Sequence, residues 1–399
     1  MKGSILSATL IFLLAVTSLA SAQSWGPRTL EELKTETLSR ARDGKFPIGK
    51  VKMEDAERAV AAIQDLERDT WATAWSSIGD EYVARAKASS SPAEARDNYY
   101  YAWRYFDIGR WPTEKHSPGK RKSYEKGLLA FREYGQLLDP PLETVRIPFE
   151  GKEIVAYLRI PNGVRPAPLV FGMNGLDSRK EGVMARSDAY IQNGVAAFAI
   201  DMPGTGQAPL LIDVGSERML SAALDYLVER PDIDASRIVV QGRSWSGYWA
   251  AVLAYTERDR ILGAAVHGVG IHNYYQPEWQ KTAIMSEEYL FDLFPARSVV
   301  YGVDNMEDFL AFGPRLSLVT LGFIDKPSAP MLLVNGEQDS QQPIADLYLL
   351  MKHGDPKLTW VNPVGGHMGR SAEWPDSRVQ AEVLRPWLMR QLGVEPIKH

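Results

Sequence analysis

The sequence predicts an α/β fold in which a mostly parallel central sheet is flanked by helices and preceded by a helical N-terminal region. From about residue 143 onward, short β-like runs alternate with helical runs, as is typical of a parallel sheet. Residues 28–138 have helical periodicity and few strand-like runs. A β-branched run at 237–240 passes through a turn of glycines and serines into a helix-forming run at 248–254. These three observations determine the predicted fold class.

The first 22 residues indicate an export signal. Lys2 supplies a basic start, an apolar run follows at residues 5–19, and residues 20–22 form a small-residue cleavage site. The apolar run is short for a membrane span, so we expect a cleaved signal peptide, with an uncleaved anchor as the alternative. The absence of cysteine excludes disulfides, thiolate metal sites and a cysteine nucleophile. We therefore expect a periplasmic or extracellular protein without membrane attachment.

Residues 28–138 predict a helical cap domain. Residues 54–63 contain mostly strong helix formers, and Ser91-Pro92 predicts a helix start with proline in the first turn. The aromatic cluster at residues 99–106 predicts packing against the rest of the protein, with a ligand-facing wall as the alternative. The connection at residues 137–141 is short and stiff, because its prolines have a fixed φ. The predicted catalytic domain occupies residues 143–394.

The catalytic half is predicted to begin with a hairpin formed by residues 145–149 and 154–160. The next strands are predicted at residues 168–173 and 195–200. The second of these strands leads into Gly204-Thr205-Gly206, which lacks the third glycine of a dinucleotide-binding loop.

The turn Gly242-Arg243-Ser244-Trp245-Ser246-Gly247 predicts the nucleophile elbow of an α/β-hydrolase. Such a turn forces the serine into a strained conformation, which requires small residues two positions away on either side. Gly242 and Ser246 meet this requirement around Ser244. The competing choice, Ser246, would have the large Tyr248 in one of these positions. Ser244 is therefore the predicted nucleophile.

The acid and the base follow the serine in this fold. Asp339 lies in a glycine-containing loop after an apolar run at 331–334 and is the predicted acid, with Glu337 as the alternative. His367 lies among glycines after a strand-like run at 358–361 and is the predicted base. The other histidines lie in polar settings or precede the acid, and they are His116, His267, His272, His353 and His399.

The oxyanion hole is predicted to consist of the backbone N–H groups of Trp245 and Leu176, because Gly175 lets the chain approach the substrate. Residues 271–328 exceed the length of one crossover helix and predict a small aromatic lid. The predicted substrate-contacting residues are Gly175, His267, His272, Tyr274 and Trp279.

The stretches 174–181, 201–206 and 242–248 resemble one branch of the α/β-hydrolases, and residues 99–112 and 137–143 resemble its N-terminal segment and junction. The branch includes the fermentation–respiration switch protein, 2,6-dihydroxypseudooxynicotine hydrolase and fungal polyketide chain-shortening hydrolases. Ser246-Gly247 departs from the two glycines that the branch often has there, and serine is small enough to fit. The resemblance implies an α/β-hydrolase fold and either esterase activity or hydrolysis of a carbon–carbon bond next to a ketone.

The composition of the chain restricts the classes of molecule that we expect it to bind. The net charge of −5 over 399 residues and the lack of a basic block give no electrostatic case for nucleic acid or an anionic membrane. We expect a small-molecule substrate and neither a metal nor another cofactor. The chain could also form a homodimer.

The leading functional hypothesis is a secreted serine hydrolase that cleaves a carboxyl ester of a hydrophobic or aromatic small molecule through an acyl-enzyme. Hydrolysis of a carbon–carbon bond in a β-diketone-like substrate on the same triad is the alternative. Peptidase activity is a third hypothesis. A binding or regulatory protein on this scaffold is a fourth, because fold does not imply function.

Overall fold

The structure of the protein is a computed structural model, and it describes residues 28–395. The predicted signal peptide, residues 1–22, lies outside the described residues. In the described part, helices come first and an eight-stranded sheet with flanking helices follows.

The N-terminal region is helical, as predicted. Its helices are α1 Leu30–Asp43, α2 Met53–Ala62, α3 Arg68–Ala88, α4 Pro92–Arg110 and α5 Pro118–Gln136. Thr29 and Glu32 form a reciprocal capping box at the start of α1. Ser91 and Ser117 cap α4 and α5, each of which begins with a proline. The predicted helix start at Ser91-Pro92 is confirmed.

A single sheet forms the centre of the catalytic half. Its strands are β1 Glu143–Phe149, β2 Lys152–Arg159, β3 Ala167–Met173, β4 Ala196–Ile200, β5 Ile233–Arg243, β6 Gly263–His267, β7 Met331–Gly336 and β8 Leu358–Asn362. Their order is β1-β2-β4-β3-β5-β6-β7-β8, and β3 to β8 run parallel. The first two strands form an antiparallel hairpin and β2 joins β4 antiparallel. The predicted α/β fold is confirmed.

Helices cover both faces of this sheet. They are α6 Lys180–Met184, α7 Asp188–Ile191, α8 Arg218–Val228, α9 Trp245–Thr256, α10 Pro277–Ala283, α11 Leu293–Val299, α12 Met306–Phe312, α13 Ile344–Lys352, α14 Asp376–Val379 and α15 Arg385–Gln391. Helices α10 to α12 form the excursion between β6 and β7. No helix within residues 28–395 combines the length and the apolar character that crossing a membrane requires.

Two strands differ from what the sequence predicts. Residues 263–267, for which the sequence analysis predicts no strand, form β6 between β5 and β7. The run from Gly263 to His267 has one β-branched residue, Val266, so its local strand propensity is weak. Strand β5 begins at Ile233 rather than Arg237.

The N-terminal helices pack against both the sheet and the excursion. The ring of Phe131 in α5 lies 5.5 Å from that of Tyr157 in β2. The ring of Trp111, which follows α4, lies 5.2 Å from those of Tyr289 and Phe291. The aromatic residues of this region are therefore largely core residues shared by the two halves of the chain.

Buried ion pairs also cross between the two halves. The guanidinium of Arg179 donates to Glu114 at 2.6 Å, and both side chains are nearly inaccessible. Burial acts to raise the pKa of Glu114, but Arg179 and Arg110 outweigh it and lower the pKa to about 2. Asp292 in the excursion pairs with Arg68 at 2.7 Å and with Lys120 at 3.5 Å. Separating the halves would leave these buried charges without partners.

Candidate active site

Ser244 occupies a strained turn between β5 and α9. Its φ of 52° and ψ of −125° are unfavourable for a residue with a side chain. The turn depends on its glycines: a Cβ at Gly242 would lie 1.9 Å from the carbonyl oxygen of Ser246, and a Cβ at Gly247 would lie 1.9 Å from that of Gly268. The tight turn leaves the Ser244 side chain partly exposed at the carboxyl edge of the sheet.

Ser246 faces the interior. Its side chain is fully buried, and its hydroxyl donates to the carbonyl oxygen of Asn174. This contact attaches the elbow to the loop that follows β3. The Ser246 hydroxyl is therefore committed to a structural hydrogen bond, whereas the Ser244 hydroxyl faces a histidine.

Ser244, His367 and Asp339 form one hydrogen-bonded chain. Ser244 Oγ lies 2.8 Å from His367 Nε2, and His367 Nδ1 lies 2.9 Å from Asp339 Oδ2. Because the carboxylate accepts the proton on Nδ1, Nε2 is left as an acceptor for the serine hydroxyl. The loops after β5, β7 and β8 supply these residues at the same edge of the sheet.

Asp339 is held in its charged form. Burial acts to raise the pKa of this carboxyl, but contact with His367 and the backbone N–H groups of Gln341 and Gln342 lower the pKa below its usual value. Those two N–H groups donate to Asp339 Oδ1 at 2.7 and 3.0 Å. The alternative acid, Glu337, is exposed and accepts a hydrogen bond from Tyr348.

The His367 loop is folded tightly against β7. Met368 and Gly369 both have positive φ, and the side-chain amide of Asn362 donates to the Gly369 carbonyl at 2.9 Å. Arg370 Nε donates to the His367 carbonyl, also at 2.9 Å. A Cβ at Gly336 would lie 2.1 Å from the carbonyl oxygen of Gly365. These contacts orient the imidazole toward Ser244.

The loop after β3 lies directly beside the elbow. A Cβ at Gly175 would lie 2.7 Å from Ser244 Cβ and 3.0 Å from the backbone nitrogen of Trp245. Within residues 28–395, the N–H groups of Leu176 and Trp245 have no protein acceptor. One free donor therefore lies in the elbow and the other in the loop packed against it, and these are the two N–H groups that the sequence analysis predicts for the oxyanion hole.

The predicted substrate-contacting residues occupy different environments. His267 is fully buried; its Nε2 lies 2.9 Å from the Met368 carbonyl and its Nδ1 lies 3.2 Å from Gln380. Burial and the nearby Arg243 lower the pKa of His267 to about 3. His267 is therefore neutral and has no free nitrogen to offer a ligand.

The other predicted substrate-contacting residues, His272, Tyr274 and Trp279, lie in the excursion between β6 and β7. His272 Nδ1 lies 2.7 Å from Ser317 Oγ, and Trp279 Nε1 donates to the Gln341 carbonyl. The buried ring of Tyr274 packs edge-on against Trp245 at 5.6 Å. Tyr274 and Trp279 thus lie beside the elbow and beside the loop of Asp339, respectively.

The sequence analysis missed the polar residues that connect the Asn174 loop to its surroundings. Arg186 donates to Asn174 Oδ1 at 2.9 Å, and Asn174 donates to Ser178 Oγ at the same distance. Arg186 lies between two short helices with no motif around it, so no local signal identifies it. Among the described residues, no group of three or more histidines or carboxylates could hold a metal ion.

Comparisons with known proteins identify related sequences and structures. The family model described as esterase FrsA-like matches residues 49–362. Esterase FrsA of Vibrio cholerae serotype O1 is 26% identical over 289 residues, which are 70% of this chain and 68% of that protein. The 2,6-dihydropseudooxynicotine hydrolase of Paenarthrobacter nicotinovorans is 28% identical over 278 residues, 68% of this chain and 71% of that protein.

The crystal structure of 2,6-dihydroxy-pseudo-oxynicotine hydrolase has the same fold. It matches with a TM-score of 0.72 and 20% sequence identity, covering 86% of this chain and 93% of the other. The likeness extends over both the N-terminal helices and the sheet.

Proposed function

Because this chain belongs to the FrsA-like esterase family, we propose that it is a serine hydrolase that cleaves a carboxyl ester. The observation that carries this proposal is the hydrogen-bonded chain from Ser244 through His367 to Asp339. The strained elbow of Ser244 and the charged state of Asp339 support it. Both features have a cost in stability that a purely structural role does not explain.

In the proposed reaction, His367 Nε2 takes the proton of Ser244 as its oxygen attacks the ester carbonyl. Asp339 keeps the imidazole in the required tautomer and stabilises its protonated form. The N–H groups of Trp245 and Leu176 donate to the developing oxyanion. His367 then protonates the leaving alcohol, and water releases the acid from Ser244 by the same steps in reverse.

Aromatic residues around the site favour a hydrophobic or aromatic substrate of moderate size. Asp177 follows Leu176, and its carboxylate accepts a hydrogen bond from Trp111 Nε1 at 3.3 Å. The ring of Trp111 packs against Tyr289 of the excursion. Trp111 of the N-terminal region and Tyr289 of the excursion thus cover the Leu176 loop. A covered site favours a small substrate over a polymer.

The alternative proposal is hydrolysis of a carbon–carbon bond next to a ketone, and the 28% identity to a pseudooxynicotine hydrolase favours it. This reaction needs a group that protonates the carbanion leaving group. Tyr289 is the candidate that we propose, since burial and Asp177 raise its pKa well above the usual value and keep its proton in place.

Alanine substitutions at Ser244, His367 and Ser246 test the proposed nucleophile. Ser244→Ala and His367→Ala should lower kcat on nitrophenyl esters by about three to six orders of magnitude with the fold intact. Ser244→Ala should also abolish labelling by a fluorophosphonate probe, whereas Ser246→Ala should retain it. Near-normal turnover by Ser244→Ala with loss in Ser246→Ala would refute the assignment.

A substrate panel separates the remaining functions. The purified protein is assayed with short-chain nitrophenyl esters, aryl β-diketones and dipeptide anilides. Turnover of diketones without turnover of esters would favour the carbon–carbon hydrolase, and cleavage of the anilides would favour a peptidase. A folded protein that neither reacts with the probe nor turns over any substrate would favour a binding or regulatory role.

We also propose that the protein is exported to the periplasm or the medium. The basic start, apolar run and cleavage site in the first 22 residues support this location. Fractionation of cells that express the full chain should recover a shortened protein outside the cytoplasm. A variant without residues 1–22 should stay in the cytoplasm. If the full chain and this variant were distributed in the same way between the cell fractions, the proposal would be refuted.

A further inference from the structure

The turn that carries His367 is strained, and side chains outside the turn bind its backbone. Met368, which directly follows His367, has a left-handed φ of 61°. This conformation is unfavourable for a residue with a side chain and persists only where its surroundings fix it. Arg370 Nε donates to the His367 carbonyl at 2.9 Å, and His267 Nε2 lies 2.9 Å from the Met368 carbonyl. These two contacts therefore help to fix the backbone that carries the imidazole.

Arg370 is itself oriented by a carboxylate of the excursion. One of its terminal nitrogens donates to Glu288, so the guanidinium bridges the Glu288 carboxylate and the His367 carbonyl. The donors of a guanidinium lie in one rigid plane, so a partner at one end sets the direction of the N–H at the other end. Both side chains are partly exposed, and without the carboxylate the Arg370 side chain could turn toward solvent. Glu288 therefore acts on the His367 turn through Arg370.

The residues just before Glu288 also contact the loop that carries the acid. Ser286 Oγ lies 2.9 Å from Ser340 Oγ, and Ser340 directly follows Asp339. The backbone N–H of Glu288 donates to the Ser286 hydroxyl at 3.3 Å, so the two contacts belong to one short turn. Residues 286–288, which we call the bridging turn, therefore connect the loop of the base with the loop of the acid.

The N-terminal region holds the bridging turn from the other side. Arg28 donates to the carbonyl oxygen of Glu287 at 2.7 Å and to that of Tyr289, so it binds the backbone on both sides of Glu288. Farther along the excursion, Asp292 pairs with side chains of the N-terminal helices. The N-terminal region is thus connected, through Glu288 and the guanidinium that it orients, to the turn of the base.

We propose that Glu288 and Arg370 are positioning residues for the base His367. The Glu288 carboxylate orients the Arg370 guanidinium, which holds the His367 carbonyl. The imidazole is thereby kept at hydrogen-bond distance from Ser244 Oγ. Arg28 supports this arrangement, so the N-terminal region contributes to the chemical step and not only to the shape of the substrate pocket. This inference rests on the proposed function, because it requires His367 to act as the base for Ser244.

Glu288→Gln separates positioning from stability. Its ion pair with Arg370 is partly exposed, and such pairs contribute little to stability, so the melting temperature should stay close to that of the wild type. A small displacement of the base should still slow the reaction. We expect kcat on a short nitrophenyl ester to fall by about three- to tenfold with KM nearly unchanged. The rate constant for fluorophosphonate labelling of Ser244 should fall by a similar factor.

A double variant tests whether Glu288 acts through Arg370. Arg370→Gln removes the donor to the His367 carbonyl and should lower both rates by about ten- to a hundredfold. Adding Glu288→Gln to Arg370→Gln should cause no further loss, because the two residues then act as one unit. Arg370→Lys keeps the charge but loses the planar fork, so it should restore only part of the rate. An equal effect of Glu288→Gln with and without Arg370 would overturn the inference.

Arg315→Gln is the matched control. Arg315 also attaches the excursion to the rest of the catalytic half through an exposed ion pair, with Asp213 at 3.0 Å, and this variant should leave both rates unchanged. Arg28→Gln should lower kcat by a factor no larger than that of Glu288→Gln. Wild-type rates in both Glu288→Gln and Arg370→Gln, or the same fall in Arg315→Gln, would contradict positioning. If Arg370→Gln fails to fold, the same double-variant comparison with Arg370→Lys decides.

The wild-type protein distinguishes failure of this inference from failure of the proposed function. A folded wild type that neither hydrolyses the esters nor reacts with the probe would refute the serine hydrolase and the positioning role together. A wild type that does both, with Glu288→Gln and Arg370→Gln at the same rates, would refute the positioning role alone.

Discussion

Ser244 is held in its strained conformation by interactions on both sides of the turn. Its backbone N–H donates to the His267 carbonyl at 2.7 Å, and the Gly247 N–H donates to the Ser244 carbonyl at 2.8 Å. A Cβ at Gly268 would lie 3.1 Å from Ser244 Cα. The close approach of three chain segments therefore compensates for a backbone conformation that would be unfavourable in isolation.

Gly175 is predicted to be required for activity more than for stability. In Gly175→Ala the new Cβ would come too close to Ser244 Cβ, at 2.7 Å, so the loop must move away from the elbow. The N–H of Leu176 would move with it, and we expect kcat to fall by about 10²- to 10³-fold, as on losing one oxyanion donor. Ester kinetics together with a thermal melt measure the two effects.

Leu176→Ala provides the control for this loop. It keeps the backbone N–H and removes a buried side chain, so it should destabilise the protein by about 2–5 kcal/mol while the folded enzyme keeps most of its kcat. A Gly175→Ala protein with normal kcat would contradict the proposed role of the loop.

The Glu114–Arg179 pair is an acid-sensitive connection between elements. Glu114 belongs to the short turn after α4, and Arg179 immediately precedes α6. The pKa of Glu114 is lowered from 4.5 to about 2, so the unfolded chain binds this proton at a higher pH than the folded protein does. Stability from the pair is thus present above about pH 4.5 and is lost as the pH falls toward 2.

Glu114→Gln should remove this acid-sensitive contribution. The shift corresponds to about 3 kcal/mol at neutral pH, and the uncompensated Arg179 adds to the loss. Denaturant unfolding between pH 7 and 3 should show a weaker pH dependence in the variant. Glu143→Gln, which disrupts an exposed pair with Arg230, should cost no more than about 1 kcal/mol. Equal losses in both variants would contradict a special role for the buried pair.

At the scale of the whole molecule, the N-terminal helices and the catalytic half are expected to act as one unit. Removing residues 24–138 would expose the face of β2 on which Phe131 packs and leave Arg179 without Glu114. We expect lower solubility, a lower melting temperature and loss or alteration of turnover of bulky esters. The measurements are a thermal melt and kcat/KM on a small and a large substrate.

The opposite result would show an independent catalytic domain. A truncated protein that stays soluble, melts at the same temperature and keeps its kcat/KM on the large substrate would contradict the cap hypothesis. Loss of activity on the large substrate alone would locate the contribution of the helices in the substrate pocket.

Periodicity and local turn chemistry were sufficient to predict most of the fold. The hairpin at β1 and β2 and the helix start at Ser91-Pro92 depend on neighbouring residues, so the sequence contains the signal. Strand β6 was missed because it is short and has a single β-branched residue, Val266, so its local strand propensity is weak. The order of the elements predicted the parallel sheet, since right-handed crossovers leave few other arrangements.

The sequence by itself determined the order of elements and singled out Ser244, Asp339 and His367, because turn shape and chain order are local or linear properties. Only the tertiary structure decided that these three side chains meet at hydrogen-bond distances. It alone also paired Glu114 with Arg179 across the two halves of the chain. This contact arises from the packing of segments far apart in the chain, which local sequence does not specify.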